Sequence, residues 1–400
     1  MTVAVVDTAP AAWRVVFACF VSAVFAWGFG FYAHGIYLVE LRTKLGWPTG
    51  LISSVITGHY VLGALLLPRI ADAIGRFGPR AVLLGGLAIT GGPLLLLPSV
   101  EEPWQLAVLY ALMAAGWNAT SVAPIAATIG QWFDRRRGLA LNLALSGATV
   151  AGLVVAPTLL ALIPRLGFAQ AERLAVIVGL GLAAAAVASF VRRGPLLARS
   201  EAAPRRASLA TLRDWRFWGI SAAFAFALLS QVGFLTHLVP LLHDRPHIDP
   251  SLAVAINAVA ALVGRVVLGF VIDRFEPRRA AAVCFLVQVA AIAVLARGDL
   301  PAVIYGACAL YGFSVGNNIT LSPLIIQREY PAAQFPAVVA RSTAVVQIVY
   351  AFGPGLLGVL RDLFGGYGVP LVVCIGLNLA ASAVVLMRRR RLTPGFSSGI

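Results

Sequence analysis

Residues 250–279 read PSLAVAINAVAALVGRVVLGFVIDRFEPRR, an apolar run that ends abruptly in a cluster of charged side chains. A transmembrane helix needs about 20 consecutive apolar residues, and the run from 251 to 272 has that length. Cations placed directly after such a run are typical of the cytoplasmic face of a membrane. The stretch therefore predicts one membrane-spanning helix whose charged end faces the cytoplasm.

The same pattern recurs along the whole chain of 400 residues. Hydrophobic residues make up 60% of the sequence and charged residues only 12%, whereas soluble domains carry about 25% charged residues. The composition excludes an ordinary soluble protein and predicts an all-α integral membrane protein with twelve transmembrane helices. The predicted spans, numbered 1 to 12, are 14–39, 50–69, 80–98, 104–130, 139–163, 172–191, 216–241, 251–272, 279–297, 301–326, 338–360 and 368–387.

The distribution of basic residues predicts the orientation of these spans. With both termini in the cytoplasm, the inner loops and the C-terminal tail hold 21 of the 31 Lys and Arg residues, and the outer loops hold 7. Such an excess is what the positive-inside rule describes. Topology thus accounts for the net charge of +15, and we expect no nucleic-acid partner. Short loops and an Ala- and Arg-rich composition predict a multi-pass protein of a bacterial inner membrane.

The twelve spans fall into two similar halves. The longest hydrophilic stretch, 192–215, is predicted to be a cytoplasmic linker between one six-helix bundle at 1–191 and another at 216–400. The pair Gly63 and Asp72 at the end of span 2 recurs at the end of span 8, 201 residues later, as Gly264 and Asp273. Repeated bundles are typical of secondary transporters, in which alternating access moves one half against the other.

The sequence offers no convincing catalytic or metal site. Its five His and sixteen acidic residues form no catalytic or metal-ligand pattern facing a predicted cavity, and no Gly-rich phosphate loop followed by Lys is present. His243 and His247 have the spacing of helical zinc ligands, but Pro246 lies between them and argues against a continuous helix. We therefore expect no enzyme activity, no cofactor and no bound metal.

The segment after span 2 resembles a known family. Residues 69–76, RIADAIGR, are similar to the signature loop of the major facilitator superfamily, Gly-x-x-x-Asp-Arg/Lys-x-Gly-Arg, with Ala73 in place of the cation. Residues 269–274, GFVIDR, are a closer copy after span 8. The resemblance implies the major facilitator fold of two pseudo-symmetric six-helix bundles. It also implies conformational gating at the cytoplasmic edge by Asp72, Arg76, Asp273 and Arg274.

A second resemblance is narrower. Residues 132–147, WFDRRRGLALNLALSG, and residues 45–48, LGWP, resemble the monocarboxylate transporter family and its bacterial oxalate:formate antiporter cousins. The acidic signature that opens helix 1 in animal members is missing. The Arg that drug:proton antiporters carry in helix 4 is replaced by Leu112. The resemblance therefore implies transport of a small organic anion and places drug efflux second.

Arg265 is the candidate ligand for that anion. It lies eight residues before Asp273, about 12 Å along a helix at 1.5 Å per residue, where a cation costs about 2.5–3.5 kcal/mol on insertion scales. An anion in a water-filled cavity would offset this cost, because guanidinium matches a carboxylate with a planar pair of donors. The position also resembles the helix-8 arginine that binds substrate carboxylate in the monocarboxylate family. The alternative is an Arg that snorkels to the surface or bonds backbone carbonyls.

The sequence leaves the coupling ion open, and the candidate is a proton. Many relatives have an Asp one turn before the helix-8 Arg, where this chain has Ala261, and no Asp or Glu falls in the middle of any predicted span. A histidine could substitute, because its pKa lies near physiological pH. His34, His59 and His237 lie within spans, and His34 is preferred because helix 1 lines the cavity in this superfamily.

Uncharged polar residues complete the candidate site, because a polar group in hydrocarbon needs a partner, either substrate or another helix. Asn118 and Asn317 lie on equivalent helices of the two halves, and Gln347 and Tyr350 lie inside span 11. We predict a secondary active transporter of a small organic anion, a monocarboxylate, that works as a monomer in the bilayer. The alternative is an exporter of an uncharged or hydrophobic small molecule.

Overall fold

The computed structural model describes residues 10–133, 136–192, 194, 213–243, 245–331 and 334–387. Most of the predicted linker 192–215 lies outside these residues. The described chain is helical and contains no strand. Eleven of its helices are long and apolar enough to cross a membrane, and they correspond to every predicted span except the tenth.

The first half contains eight α-helices, in which spans 1, 4 and 5 are each divided into two segments. A π-helical turn, Gly28–Tyr32, joins the two parts of span 1. The helices are α1 (Pro10–Trp27), α2 (His34–Leu45), α3 (Thr49–Leu96), α4 (Pro103–Thr120), α5 (Val122–Gly130), α6 (Arg137–Leu145), α7 (Gly147–Leu166) and α8 (Phe168–Phe190).

The second half repeats this plan with eight more helices, in which spans 10 and 11 are divided. Span 10 is interrupted at Gly316 and Asn317, so that neither of its parts is long enough to cross a membrane alone. The helices are α9 (Trp215–His243), α10 (Pro250–Val271), α11 (Pro277–Arg297), α12 (Pro301–Val315), α13 (Asn318–Glu329), α14 (Phe335–Tyr350), α15 (Gly353–Leu363) and α16 (Gly368–Leu386).

Spans 2 and 3 differ from the prediction of two helices joined by a loop. Both lie in α3, which leaves helical geometry only at Gly78, where φ is 80° and ψ is 159°. A positive φ is accessible to glycine without a steric penalty. The segment that contains Asp72 and Arg76 is therefore helical rather than a loop.

A buried ion pair ties three helices of the second half together. Arg278, predicted as a loop cation, is only 6% exposed. Its guanidinium donates to both carboxylate oxygens of Glu329, at 2.5 and 2.9 Å, and to the Val385 carbonyl at 2.7 Å. An Arg that is paired with a carboxylate and also hydrogen-bonded to a backbone carbonyl is tolerated at such a buried position. The pair fixes α11 against α13 and α16.

Candidate functional site

The two halves are fastened together at one end of the molecule. The Gly50 amide, in the first turn of α3, donates to the Asp362 carboxylate at 2.5 Å, and the Gly355 amide donates to Thr57 Oγ1 at 2.9 Å. These four residues, which we call the clasp, bring α3 of the first half against α15 of the second. The clasp lies at the end opposite Pro10, the first described residue, because span 1 separates the two.

We expect the substitution Asp362→Ala to open the clasp. A carboxylate at a helix N-terminus is favoured by the helix dipole, and a hydrogen bond to a charged group contributes about 1.5–3 kcal/mol. Its loss should shift the population toward the state open at this end by about tenfold or more. Distances between spin labels attached at Thr43 and Phe364 would report the shift.

The exposed Asp299 at the same end provides the matched control. Asp299→Ala should leave the label distances unchanged, since this residue lies in the connection between α11 and α12 rather than in the clasp. The clasp would be irrelevant to the conformational equilibrium if Asp362→Ala and Asp299→Ala gave the same distance distribution as the unmodified protein.

Arg265 lies where the two halves meet. Its Nε donates to the Gly316 carbonyl at 2.9 Å, within its own half, and its Nη1 donates to Thr149 Oγ1 on α7 of the other half at 2.8 Å. Both acceptors are neutral oxygens. Guanidinium has five N–H donors, so these two bonds leave three donors and the positive charge available.

The interruption of span 10 leaves the Gly316 carbonyl available to accept the hydrogen bond from Arg265. Gly316 is packed so closely that an added Cβ would meet the Ala261 carbonyl oxygen and the Arg265 side chain. The helix changes course there, and Arg265 satisfies the Gly316 carbonyl. Sequence reasoning identified the Arg but not its partners, because a hydropathy pattern does not show which backbone groups leave a helix.

His34, the preferred titratable candidate, is fully buried in a cluster with His59, Tyr60, Tyr110 and Trp117. Its Nδ1 is hydrogen-bonded to the Tyr60 hydroxyl at 3.2 Å, and the ring centroids of the two histidines are 5.4 Å apart. His59 Nδ1 donates to the Tyr110 carbonyl at 3.1 Å. We call these five residues the His–Tyr cluster.

Two further candidates lie on α14 in the second half. The Tyr350 ring packs against the Tyr60 ring of the first half, with the ring centroids 6.1 Å apart. The His–Tyr cluster therefore reaches the surface at which the two halves meet. Gln347, one turn earlier, is buried. His237 is the remaining histidine candidate. Its Nδ1 lies 3.0 Å from the Tyr367 hydroxyl and its Nε2 lies 3.0 Å from the Pro354 carbonyl. Hydrogen bonds at both ring nitrogens are typical of a histidine that supports packing.

Asn118 and Asn317 make the same local contact in the two halves. Each side-chain amide donates to the carbonyl four residues earlier, that of Ala114 at 2.8 Å and that of Phe313 at 3.2 Å. Asn118 packs against Gly63 on α3. The structure therefore places both amides among the helices of their own halves, where they support helix packing.

Three of the predicted gating residues are exposed, namely Asp72, Arg76 and Arg274. Asp273 belongs to the short 3-10 turn Ile272–Arg274, and its side chain lies outside the described part of the structure. The two signature segments thus occupy corresponding positions after spans 2 and 8, at the end away from the clasp.

The structure also shows a buried acid that the sequence analysis missed. Glu172 is the first residue of predicted span 6, but the helix begins earlier, so that Glu172 lies in the second turn of α8 and is 0% exposed. Its Oε1 accepts a hydrogen bond from the Tyr37 hydroxyl at 2.7 Å. The middle of each predicted span still lacks an acidic residue, but Glu172 shows that a carboxyl group at the edge of a span can be buried in the bundle. Periodicity could have indicated this, because Val176, one turn later on the same face, is also buried.

Comparison with known proteins agrees with this architecture. The chain is 28% identical to monocarboxylate transporter 11 of Mus musculus, over 82% of this chain and 78% of the relative. It is 28% identical to monocarboxylate transporter 13 of Bos taurus, over 94% and 88%. MFS-type transporter 1 of Ophiocordyceps sp. is 27% identical, over 66% of this chain and 58% of the relative, and the aspyridones efflux protein apdF of Emericella nidulans is 24% identical, over 62% and 50%.

Solved structures share the fold at low sequence identity. The nucleoside transporter NupG superposes with a TM-score of 0.75 at 12% identity, covering 94% of this chain and 98% of that one. A bacterial homologue of the lysosomal transporter Spinster, in an inward-facing and occupied conformation, gives a TM-score of 0.72 at 17% identity, with 95% of each chain covered. These proteins are transporters rather than enzymes.

The sequence model of the Major Facilitator Superfamily matches residues 18–354 and 250–399, which together include nearly the whole chain. The repeated segments after spans 2 and 8 and the interruptions of the divided helices lie within these limits. The chain therefore belongs to the major facilitator superfamily of membrane transporters.

Proposed function

We propose that this transporter moves a small organic anion, a monocarboxylate, by secondary active transport with alternating access. The observation that carries the proposal is Arg265, whose charge lies between the halves and is hydrogen-bonded only to neutral oxygens among the described residues. A cation at this depth is costly, and an anion compensates its charge more fully than neutral oxygens do. A carboxylate is the simplest ligand for the donors that Gly316 and Thr149 leave unused.

The geometry also suggests how binding and movement are coupled. The bond from Arg265 to Thr149 crosses from one half to the other. A carboxylate that takes this donor replaces a contact between the halves with a contact to substrate. Substrate binding would then change the relative stability of the two conformations, as a coupled transporter requires.

We further propose that both termini lie in the cytoplasm of a bacterium and that the protein acts as a monomer in the inner membrane. The clasp then closes the outer end, and the structure is the inward-facing state. In the outward-facing state, Asp72 and Arg76 would brace the cytoplasmic ends together with Asp273 and Arg274. The excess of basic residues on that side supports this orientation.

The relatives support two substrate classes. The names of the two mammalian relatives favour a monocarboxylate. The name of the fungal relative, an aspyridones efflux protein, favours export. The bond of Arg265 to the Gly316 carbonyl is compatible with a structural role for the Arg. Export is therefore the second candidate function.

Uptake into proteoliposomes distinguishes these candidates. Labelled lactate, pyruvate, formate and oxalate would be compared with a neutral sugar and with a hydrophobic dye. Saturable uptake of a monocarboxylate, blocked by excess unlabelled substrate, is the expected result. Movement of the dye without any carboxylate would overturn the proposal and favour export.

A further inference from the structure

Glu172 lies among buried polar atoms in the first half of the bundle. Its Oε1 is bonded to Tyr37, whereas Oε2 has no hydrogen-bond partner among the described residues. The His–Tyr cluster contributes four more such atoms, all of them buried. They are His34 Nε2, His59 Nε2, Tyr110 Oη and Trp117 Nε1. Native proteins leave few buried polar atoms unsatisfied, so this concentration calls for an explanation.

The groups that face Glu172 are neutral. Tyr37 on α2 donates its hydroxyl hydrogen to Glu172, and the hydroxyl of Tyr110 on α4 lies nearby. The histidines contributed by α2 and α3 lie behind these tyrosines, with the centroid of His34 5.5 Å from that of Tyr110. No ion pair to Glu172 is present among the described residues.

Two cations that bond the segment 95–100, Arg173 and Lys44, have partners other than Glu172. Arg173 is exposed and donates to the Leu95 carbonyl and to Ser99 Oγ. Lys44 donates to the carbonyls of Pro98 and Val100. A carboxylate anion at Glu172 would thus be buried without a counter-charge, which is strongly unfavourable, whereas a carboxylic acid can be buried with ordinary hydrogen bonds.

A series of titratable or hydroxylic side chains leads from Glu172 to the meeting surface of the halves. Tyr37 contacts Glu172, and the ring centroids of Tyr37 and His34 are 6.4 Å apart. His34 is hydrogen-bonded to Tyr60, which packs against Tyr350 in the second half. A water molecule held by the Tyr110 hydroxyl and His34 Nε2 would bridge the interval after Tyr37, since both are polar groups in need of a partner.

We propose that Glu172 is the proton-binding group that couples transport to a proton gradient, with Tyr37, His34 and Tyr60 as its relay to the surface between the halves. In the clasped state the carboxyl group holds the proton on one oxygen. When the clasp end opens, Glu172 exchanges this proton with water on that side. In the opposite state the proton leaves along the relay, and the charged carboxylate favours the return. This inference rests on the proposed function, because coupling requires a transported substrate.

The first test measures transport in two ways with Glu172→Gln, a neutral variant of the same shape. Exchange of labelled for unlabelled carboxylate across proteoliposomes at equal pH should continue, since exchange needs no net proton movement. Accumulation driven by a pH gradient should be lost. Glu101→Gln, at an exposed acid near the same end, should retain both. Gradient-driven accumulation that persists in Glu172→Gln would overturn the proposal.

The second test needs no substrate and separates this inference from the proposed function. Infrared spectra of the purified protein should contain the carbonyl stretch of a protonated carboxylic acid at neutral pH. The band should disappear in Glu172→Gln, shift in Tyr37→Phe, and remain in Glu101→Gln. A band with this behaviour, in a protein that moves no carboxylate, would support the proton site and reject the substrate class. Absence of the band from the unmodified protein would reject the proton site itself.

Discussion

Replacement of Arg265 by glutamine is expected to reduce saturable carboxylate uptake by about one to two orders of magnitude, since a charge-assisted hydrogen bond contributes about 1.5–3 kcal/mol and each 1.4 kcal/mol is about a factor of ten. Glutamine can still donate to an oxygen of Gly316 or Thr149, so the contacts around position 265 are partly retained. The variant loses the charge and the planar pair of donors that match a carboxylate. Initial rates in proteoliposomes would be compared at matched protein content.

Two variants make the result specific. Arg265→Lys keeps the charge but loses the planar fork, and it should retain part of the uptake with a raised KM. Arg245 is also bonded to carbonyls, those of Gly298 and Leu295, but it lies outside the meeting surface. Arg245→Gln should therefore leave the KM unchanged. Full uptake in Arg265→Gln would show that Arg265 has a structural role, which would favour the export function.

The second large effect is expected at the contact between α10 and α12. A Cβ added to Gly312 would lie inside van der Waals contact with the Asn257 backbone, and one added to Gly264 would overlap the Phe313 carbonyl oxygen. Small residues allow transmembrane helices to approach this closely. Gly312→Leu should therefore destabilise the second half by about 3 kcal/mol or more, since neither backbone can move aside without disturbing Arg265.

The measurement is the fraction of monodisperse protein recovered in detergent and its melting temperature. Gly306 lies on the same helix, but an added Cβ there meets nothing within 4 Å. Gly306→Leu should therefore behave like the unmodified protein. Equal melting temperatures for Gly312→Leu and Gly306→Leu would contradict the close approach of α10 and α12.

Most of the fold follows from hydropathy, because a bilayer imposes a length on each apolar run. Eleven spans were predicted at the correct places. The interruption of span 10 was not predicted, since Gly316 and Asn317 lie in a long run without a charged residue or a proline near them. The continuous helix around Asp72 was not predicted either, because polar residues that follow an apolar span are also typical of a loop. Pattern alone does not show where a helix bends.

The candidate site was less accessible from sequence. Arg265 was identified because a cation inside an apolar run is rare. Glu172 was overlooked, because a residue at the edge of a run could face either water or the bundle interior, and only the packing of α8 against its neighbours decides. The His–Tyr cluster brings together residues 34, 60 and 110, which lie on three different helices. Such proximity depends on tertiary structure, which a single sequence does not contain.

The hydrogen bond between Arg265 and the Gly316 carbonyl has a thermodynamic consequence. The same guanidinium that would receive the substrate also stabilises the bend between α12 and α13. When a ligand displaces the guanidinium, the Gly316 carbonyl loses its partner. It can then accept a backbone hydrogen bond only if the helix becomes straighter. Ligand affinity and helix curvature are then two measures of one linked equilibrium. A substitution that merely stiffens the bend would alter the apparent Kd without touching the ligand.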